Sequence, residues 1–490
     1  MVDHCEFAVV GSGPGGAYLA HRLASAGRSV VLIEVGPVVR TRDFDRDAGA
    51  TLARYFFDSG LRRTNGNLFM PTMQARCLGG GSVFNSAICM RAPLFAVDKW
   101  RNDHGVIGVD PDTMAPHYDR VEAFMGVRKV QSEVQGRRNE LFRAGCEAVG
   151  ATATVIERNE EGCRGSSQCF TGCPTRAKKS LDVRGVPEMV EAGGRVYTSV
   201  RADTLLMDGD RVRGVEGVAI EPFTGKLGER VRITAKCTIL AAGAIASPVI
   251  MQRSGINRDP IGRNLQFHPG TALMGMFPDE VAPWSGATQG YHCLDFMPEG
   301  IKLESLWVAP SLLAFRFPGI GADLKDLVSR YNHMASWDVW VSGEDSSGRV
   351  RSLPGGNHDI RYRIEQGDVK RMQEGMAMLI EMYFATGATS VYPGVHGLPP
   401  QITDASGAEV VRQAKLSPKN FPIASNHVFG STAMGEDRAR HVVDSSGAAW
   451  DVDDLYVCDT GIIPATPAAN PMLTIMAIAD RMADTLNARY

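Results

Sequence analysis

Apolar positions in this chain follow two periods, and the switch between them marks its organisation. Phe7-Ala-Val-Val10 is an unbroken apolar run with turn residues directly after it, the pattern of a strand buried on both faces of a parallel sheet. A helical pattern follows from about Gly15 to Ala26, then a second strand closed by Glu34. Arg195 to Val200 and Val212 to Ala219 read as a hairpin joined through Met207-Asp-Gly-Asp-Arg211, and Thr238-Ile-Leu-Ala-Ala-Gly243 as another buried strand ending at a glycine. From about Pro278 to Pro422 the character changes. Strand-like pieces stand at Gly290–Phe296, Trp337–Ser342 and Asp359–Ile364, with one clear helix from Val369 to Thr386, capped by Asp368 and stopped by Gly387. Met372, Met376, Met378 and Met382 on that helix read as core filling. A last helix runs from about Pro471 to Ala488, whereas residues 37–69 show no clean period.

Gly11, Gly13 and Gly16 stand in GxGxxG order between the first strand and its helix, with Pro14 and Gly15 inside the motif. The first glycine permits the tight turn, the second a close approach of backbone to a pyrophosphate, and the third close helix–strand packing. The helix start aims unpaired N–H groups and the positive dipole end at the phosphates. Glu34 lies 21 residues after Gly13, where a carboxylate can accept from a ribose diol. An adenine dinucleotide is expected here. Gly79-Gly-Gly-Ser82 forms a second backbone cradle or, equally, a plain loop capping a helix. Ala242 and Gly243, at the carboxyl end of a parallel strand, should lie near the same dinucleotide.

At 490 residues the chain has room for two domains. A net charge of −3 offers no basic field for nucleic acid or anionic lipid. No apolar run reaches membrane-spanning length, and the start Met1-Val-Asp-His-Cys-Glu6, without a basic or apolar leader pattern, leads to the expectation of no signal peptide. Ten cysteines in such a chain suggest reduced thiols or metal ligands, so the expected compartment is the cytoplasm.

The chain resembles the glucose–methanol–choline (GMC) flavin oxidoreductases. Gly79, Gly80, Gly81, Ser82 and Asn85 match the family's glycine loop, and Gly243-Ala-Ile-Ala-Ser-Pro248 its second signature. Ile261 to His268, His427-Val-Phe-Gly-Ser-Thr-Ala-Met-Gly435, Leu455 to Pro464 and Asn470-Pro-Met-Leu-Thr474 follow in family order. The resemblance implies FAD as cofactor and an α/β (overall α+β) chain. Its Rossmann-type FAD-binding domain would span 1–275 with a cysteine loop 160–180 inserted. An antiparallel-sheet-plus-helices substrate domain would span 276–422, and 423–490 would return to the FAD domain. It also implies that Val200 backbone meets the adenine, that Asp459 lies near the flavin chain (or caps its loop), and that Pro471 and Met472 border the flavin.

His427 is the candidate base. Oxidising an alcohol carbon requires taking the hydroxyl proton while hydride leaves for the flavin, and a neutral imidazole suits that role. Asn470 would face the substrate oxygen; an amide donates but cannot take the proton, and Asn-Pro is also a common helix entry. His268 reads as structural. Segment 276–420 shows no charge cluster that demands a charged substrate, and Trp284, Trp307, Trp337 and Trp340 could line a pocket or fill the core.

Cys163, Cys169 and Cys173, spaced x5 and x3 and ending in Cys-Pro, suit an iron–sulfur cluster better than zinc. The spacing is similar to that in bacterial FAD-dependent glucose, fructose and gluconate dehydrogenases, which implies a [3Fe-4S] cluster. The alternative is thiols packing a loop. The expected activity is alcohol or polyol oxidation, as a dehydrogenase before an oxidase. The acceptor would be a cytochrome, a quinone or dioxygen, with room for a partner subunit. The rivals are a non-redox lyase on the same scaffold, a nicotinamide dehydrogenase and a non-catalytic flavoprotein.

Overall fold

The computed structural model describes residues 1–307, 309–354 and 357–490. β1 (Val2–Val10), α1 (Pro14–Ser25) and β2 (Val30–Ile33) form the expected βαβ start, with Phe7, Ala8, Val9 and all of β2 buried on both faces. Burying one such branched or aromatic side chain contributes roughly 1.5–3 kcal/mol, which fixes the register of the unit. β3 (Arg195–Tyr197) pairs parallel to β2. β4 (Val200–Asp208) and β5 (Arg211–Ile220) make a hairpin, and β6 (Leu227–Leu240) joins it antiparallel while running parallel to β1. The strand order is β3-β2-β1-β6-β5-β4.

The expected hairpin thus starts later than its pattern suggests. Ser199 takes φ +58° and breaks the run, so Arg195–Tyr197 stays with β2 and the hairpin begins at Val200.

β6 leads into α2 (Gly243–Arg253). The second sheet holds β7 (Gly270–Met276), β8 (Tyr291–Cys293), β9 (Ile301–Leu306), β10 (Met334–Val341) and β11 (Ser390–Tyr392) in the order β11-β7-β10-β9-β8, with Thr154–Val155 at its edge. All its pairings are antiparallel. β7 runs across the expected boundary at 275, and Thr154–Val155 comes from the expected FAD-binding part. Sequence separation does not show such sharing of strands. The piece at Asp359–Ile364 belongs to neither sheet: His358–Arg363 pairs with Ser347–Ser352 and with Arg63–Gly66.

α3 (Gln366–Ala385) packs on the second sheet, with Glu365 at the N-cap position but no side chain capping it. Asp368 lies inside its first turn, buried, accepting from Ser346 and pairing with Arg371. Met372, Met376 and Met382 are buried core, as the pattern indicates. β12 (Leu455–Val457) returns beside β6 in the first sheet, and α4 (Met472–Arg489) packs along α1.

Candidate functional site

The carboxyl ends of β1 and β6 meet at the glycine motif. Gly11 takes φ +106°, and a Cβ there would lie 2.2 Å from the Ala241 oxygen. A Cβ on Gly16 would lie 2.1 Å from the Gly11 oxygen, and one on Gly15 2.3 Å from the Cys458 oxygen. Gly13 differs. A Cβ there would meet nothing within 4 Å, although Gly13 opens α1 and no side chain caps that helix. The glycine triplet closes over this point: Gly80 takes φ +55°, and its Cβ would lie 2.8 Å from Gly13 Cα. These are the marks of a phosphate cradle, with open space in front of free helix N–H groups. The residues present therefore fit the diphosphate of FAD.

Several expected cofactor residues spend their polar groups on shaping that cradle. Glu34 Oε2 accepts from Ser12 N at 3.0 Å and Ser12 Oγ at 2.6 Å, and its Oε1 from Gly36 N at 2.7 Å. Burial pushes its carboxyl up, while those donors hold it down. Ser82 Oγ donates to the Gly79 oxygen at 2.6 Å and accepts from Leu181 N at 2.9 Å. Val200 N–H donates to the Glu34 oxygen at 2.9 Å, which sets it at the end of β2. Asp459 accepts from Gly243 N at 2.9 Å, Ser247 Oγ at 2.5 Å and Gly461 N at 2.8 Å, so it ties the start of α2 to the loop after β12. Ala242 N donates to Ser247 Oγ in the same knot. Asn85 Nδ2 meets Met472 Sδ at 3.1 Å, and Pro471 caps α4 without any side-chain cap. The glycine triplet, the end of β6 and the start of α4 thus border one cleft.

The second sheet delivers the candidate chemistry to that cleft. His427 Nδ1 stands 3.1 Å from His268 Nδ1, and His268 Nε2 stands 2.5 Å from Thr466 Oγ1. The His268 ring stacks on Trp340, centroids 4.5 Å apart. Burial lowers the His427 imidazole to about 4, Glu304 raising it and Lys302 lowering it further. Burial also drives His268 well below the ordinary histidine range. His427 is neutral at ordinary pH, the form a base requires. Asn470 Oδ1 accepts from Lys302 Nζ at 2.7 Å. His268 is therefore a direct partner of the candidate base, more than a distant structural residue.

Lys302, Glu304, Asp338, His292 and Arg316 are the residues that sequence reasoning missed. Lys302 and Glu304 form a buried ion pair on β9, and Glu304 faces Asp338 across the β9–β10 ladder. Glu304 Oε2 also accepts from Trp340 Nε1 at 3.1 Å and Gln289 Nε2 at 2.9 Å. Burial and the Glu304 charge push the Asp338 carboxyl well up. These charges are scattered in sequence and gathered by strand pairing, and they are spent on one another. The signal available was an inward-facing Lys and Glu two apart in a strand. Trp337 stacks on Tyr383 at 3.8 Å and belongs to the core, whereas Trp340 faces the histidines.

In the cysteine loop, Arg158 Nη2 meets Cys169 Sγ at 3.0 Å, and Lys178 N donates to Cys173 Sγ at 3.5 Å. Lys178 Nζ donates to the oxygens of Val83, Asn85 and Cys169, joining this loop to the glycine triplet. Burial alone would raise the Cys169 thiol, but Arg158 and Lys178 bring it below the ordinary thiol range. All ten cysteines are free. Among the described residues, the one set of three ligand side chains close enough for a single metal ion is His117, Asp480 and Asp484, and there Arg22 and Arg120 pair with the carboxylates.

Family models match much of the chain. The GMC oxidoreductase models match residues 46–270 and 344–479, and an NAD(P)-binding Rossmann-like domain model matches residues 9–67. An uncharacterised GMC-type oxidoreductase of Mycobacterium tuberculosis is 33% identical over 99% of this chain and 76% of its own length. A long-chain-alcohol oxidase of Arabidopsis thaliana is 27% identical over 99% of this chain and 67% of its own. The crystal structure of pyridoxine 4-oxidase from Mesorbium loti superposes with a TM-score of 0.72 at 19% identity, covering 99% of this chain and all of that one. The chain belongs to the GMC oxidoreductase family. At the level of class, this establishes a flavin-dependent oxidoreductase. Among the described residues no helix is long and apolar enough to cross a membrane.

Proposed function

We propose that this protein oxidises an alcohol to a carbonyl compound with His427 as the base and Asn470 orienting the substrate oxygen. The observation that carries this is the half-buried, neutral imidazole of His427, tied at Nδ1 to His268 and bound by no described residue at Nε2. A base at Nε2 needs the His427 proton on Nδ1, donated to His268 Nδ1. His268 then carries its own proton on Nε2, donated to Thr466 Oγ1. In this arrangement Nε2 takes the hydroxyl proton. The Asn470 amide donates to the same oxygen, which fixes which carbon–hydrogen bond faces the ring system. Bound FAD, held at Gly13, Gly80, Gly81 and the α1 N-terminus, supplies the hydride acceptor.

Anaerobic mixing with a panel of primary and secondary alcohols tests the reading. The flavin absorbance bleaches with the wild type and persists with His427→Ala; equal bleaching in both would overturn it.

The electron acceptor is a second part of the proposal. Arg158 and Lys178 are 1% exposed, and their charges hold the Cys169 thiol below the ordinary thiol range. A thiolate at Cys169 supports a ligand role for it, alongside Cys163 and Cys173, in a three-iron cluster, which would make the enzyme a dehydrogenase delivering electrons singly. Iron and acid-labile sulfide analysis decides: stoichiometric amounts support it, and protein free of iron leaves dioxygen or a quinone as acceptor. The proposal keeps the enzyme in the cytoplasm, where its thiols stay reduced.

A further inference from the structure

Lys302 is 1% exposed, so it does not reach a substrate in the cleft. Its Nζ nevertheless donates to Asn470 Oδ1 at 2.7 Å, pairs with Glu304 and touches Met90 Sδ at 3.2 Å. An ammonium has three donors and no acceptor. Only the amide oxygen of Asn470 can face it, so the amide has one favourable orientation, with Nδ2 on the far side. No described residue accepts from that Nδ2. The ammonium is itself fixed by a rigid element: Lys302 and Glu304 share one face of β9, and Trp340 and Gln289 hold Glu304 from its other side.

We infer that Lys302 is a positioning residue for the oxidation, holding the Asn470 amide so that its N–H groups are presented to the substrate oxygen. This rests on the reading of His427 and Asn470 given above. Without Lys302 the amide turns over freely and offers its oxygen to the substrate oxygen about as often as its donors. The Glu304 carboxylate compensates the buried ammonium, and the ammonium's bond to Asn470 links that pair to the proposed site.

The charge of Lys302 also balances that of Glu304 at His427. His268 faces His427 directly. His292 and Asp338 lie beside Glu304, and Arg316 beside Asp338. Loss of Lys302 leaves the Glu304 carboxylate uncompensated, so the acidic limb of kcat/KM moves to higher pH. A role confined to stability would not move that limb.

The test is anaerobic flavin reduction by the fastest alcohol of a panel from ethanol to 1-dodecanol and benzyl alcohol, with flavin content and thermal midpoint read on each variant. Lys302→Met and Asn470→Ala are each expected to slow reduction by up to about 100-fold with flavin retained. The double variant should be no slower than the slower single variant. An unchanged rate in Lys302→Met, or effects that multiply in the double, would overturn the inference. If Lys302→Met does not fold, Lys302→Met/Glu304→Gln removes both charges and takes its place in the same comparison. His427→Ala separates the two levels. Full reduction in that variant sinks the proposed reaction itself, whereas an inactive His427→Ala beside multiplying effects sinks only the role of Lys302.

Discussion

Lys302 and Trp340 stand directly opposite each other on β9 and β10, with the ammonium 4.8 Å from the indole centroid. From this one cross-strand pair two paths diverge. Lys302 reaches Asn470, and Trp340 supports His268, which holds His427. Both candidate catalytic groups are thus referred to a single rung of the second sheet, a more exact support than a loop provides.

Loss of the base has a defined signature. His427→Asn should bind FAD normally yet reduce it about 100- to 10,000-fold more slowly, the range that general base catalysis supplies. Stopped-flow absorbance measures it, and a change below tenfold would exclude His427 as the base.

The pH profile should reflect the burial of that imidazole. Because His427 is lowered to about 4 from an ordinary 6.5, the acidic limb of kcat/KM should fall well below pH 6.5. A limb at 6.5 would mean that another histidine, or a solvated one, titrates.

Stability should follow the same burial with a definite sign. Folded His427 titrates at about 4 and His292 at about 3, against 6.5 when unfolded. Between those values the unfolded chain binds more protons, so stability rises with pH and is lost as pH falls from 6.5 toward 4. The thermal midpoint should therefore drop from pH 7 to pH 5, and His292→Asn should shallow that slope.

The two ends of the glycine motif should respond differently to one substitution. Gly13→Val adds atoms to open space, so the chain should fold but purify without flavin. Gly16→Val drives a Cβ to 2.1 Å from the Gly11 oxygen and should abolish soluble expression. Flavin absorbance and circular dichroism distinguish them.

Glu304→Leu leaves the Lys302 ammonium buried without its partner and should cost about 3–5 kcal/mol in urea unfolding. Lys302→Met/Glu304→Leu should recover most of that loss. Additive losses would show that the two charges do not interact.

Local pattern carried a large part of the molecule. The Phe7–Val10 run, GxGxxG and the helical period after Val369 each describe contacts made within a few residues, and each element lies where its pattern places it. Errors fell where neighbours override local preference: Ser199 divides an apparently continuous strand, and Asp368, a sound cap by composition, is buried against Ser346 and Arg371 inside a helix that starts two residues earlier, at Gln366.

His427 and Asn470 could be singled out as candidates because motif residues carry their own spacing, as could the glycines, whose absent Cβ atoms are a property of the residue. Lys302, Glu304 and the partnership of His268 with His427 were not. Each depends on long-range pairing: Lys302 and Asn470 are separated by 168 residues, and His268 and His427 by 159. The sequence by itself determined the dinucleotide unit, the periods of the helices and strands, and the residue types available for proton transfer. Tertiary structure alone decided which buried charges compensate one another and which side of Asn470 meets Lys302. The physical reason is that burial and hydrogen-bond partnership belong to the packed sheet, not to any segment of the chain.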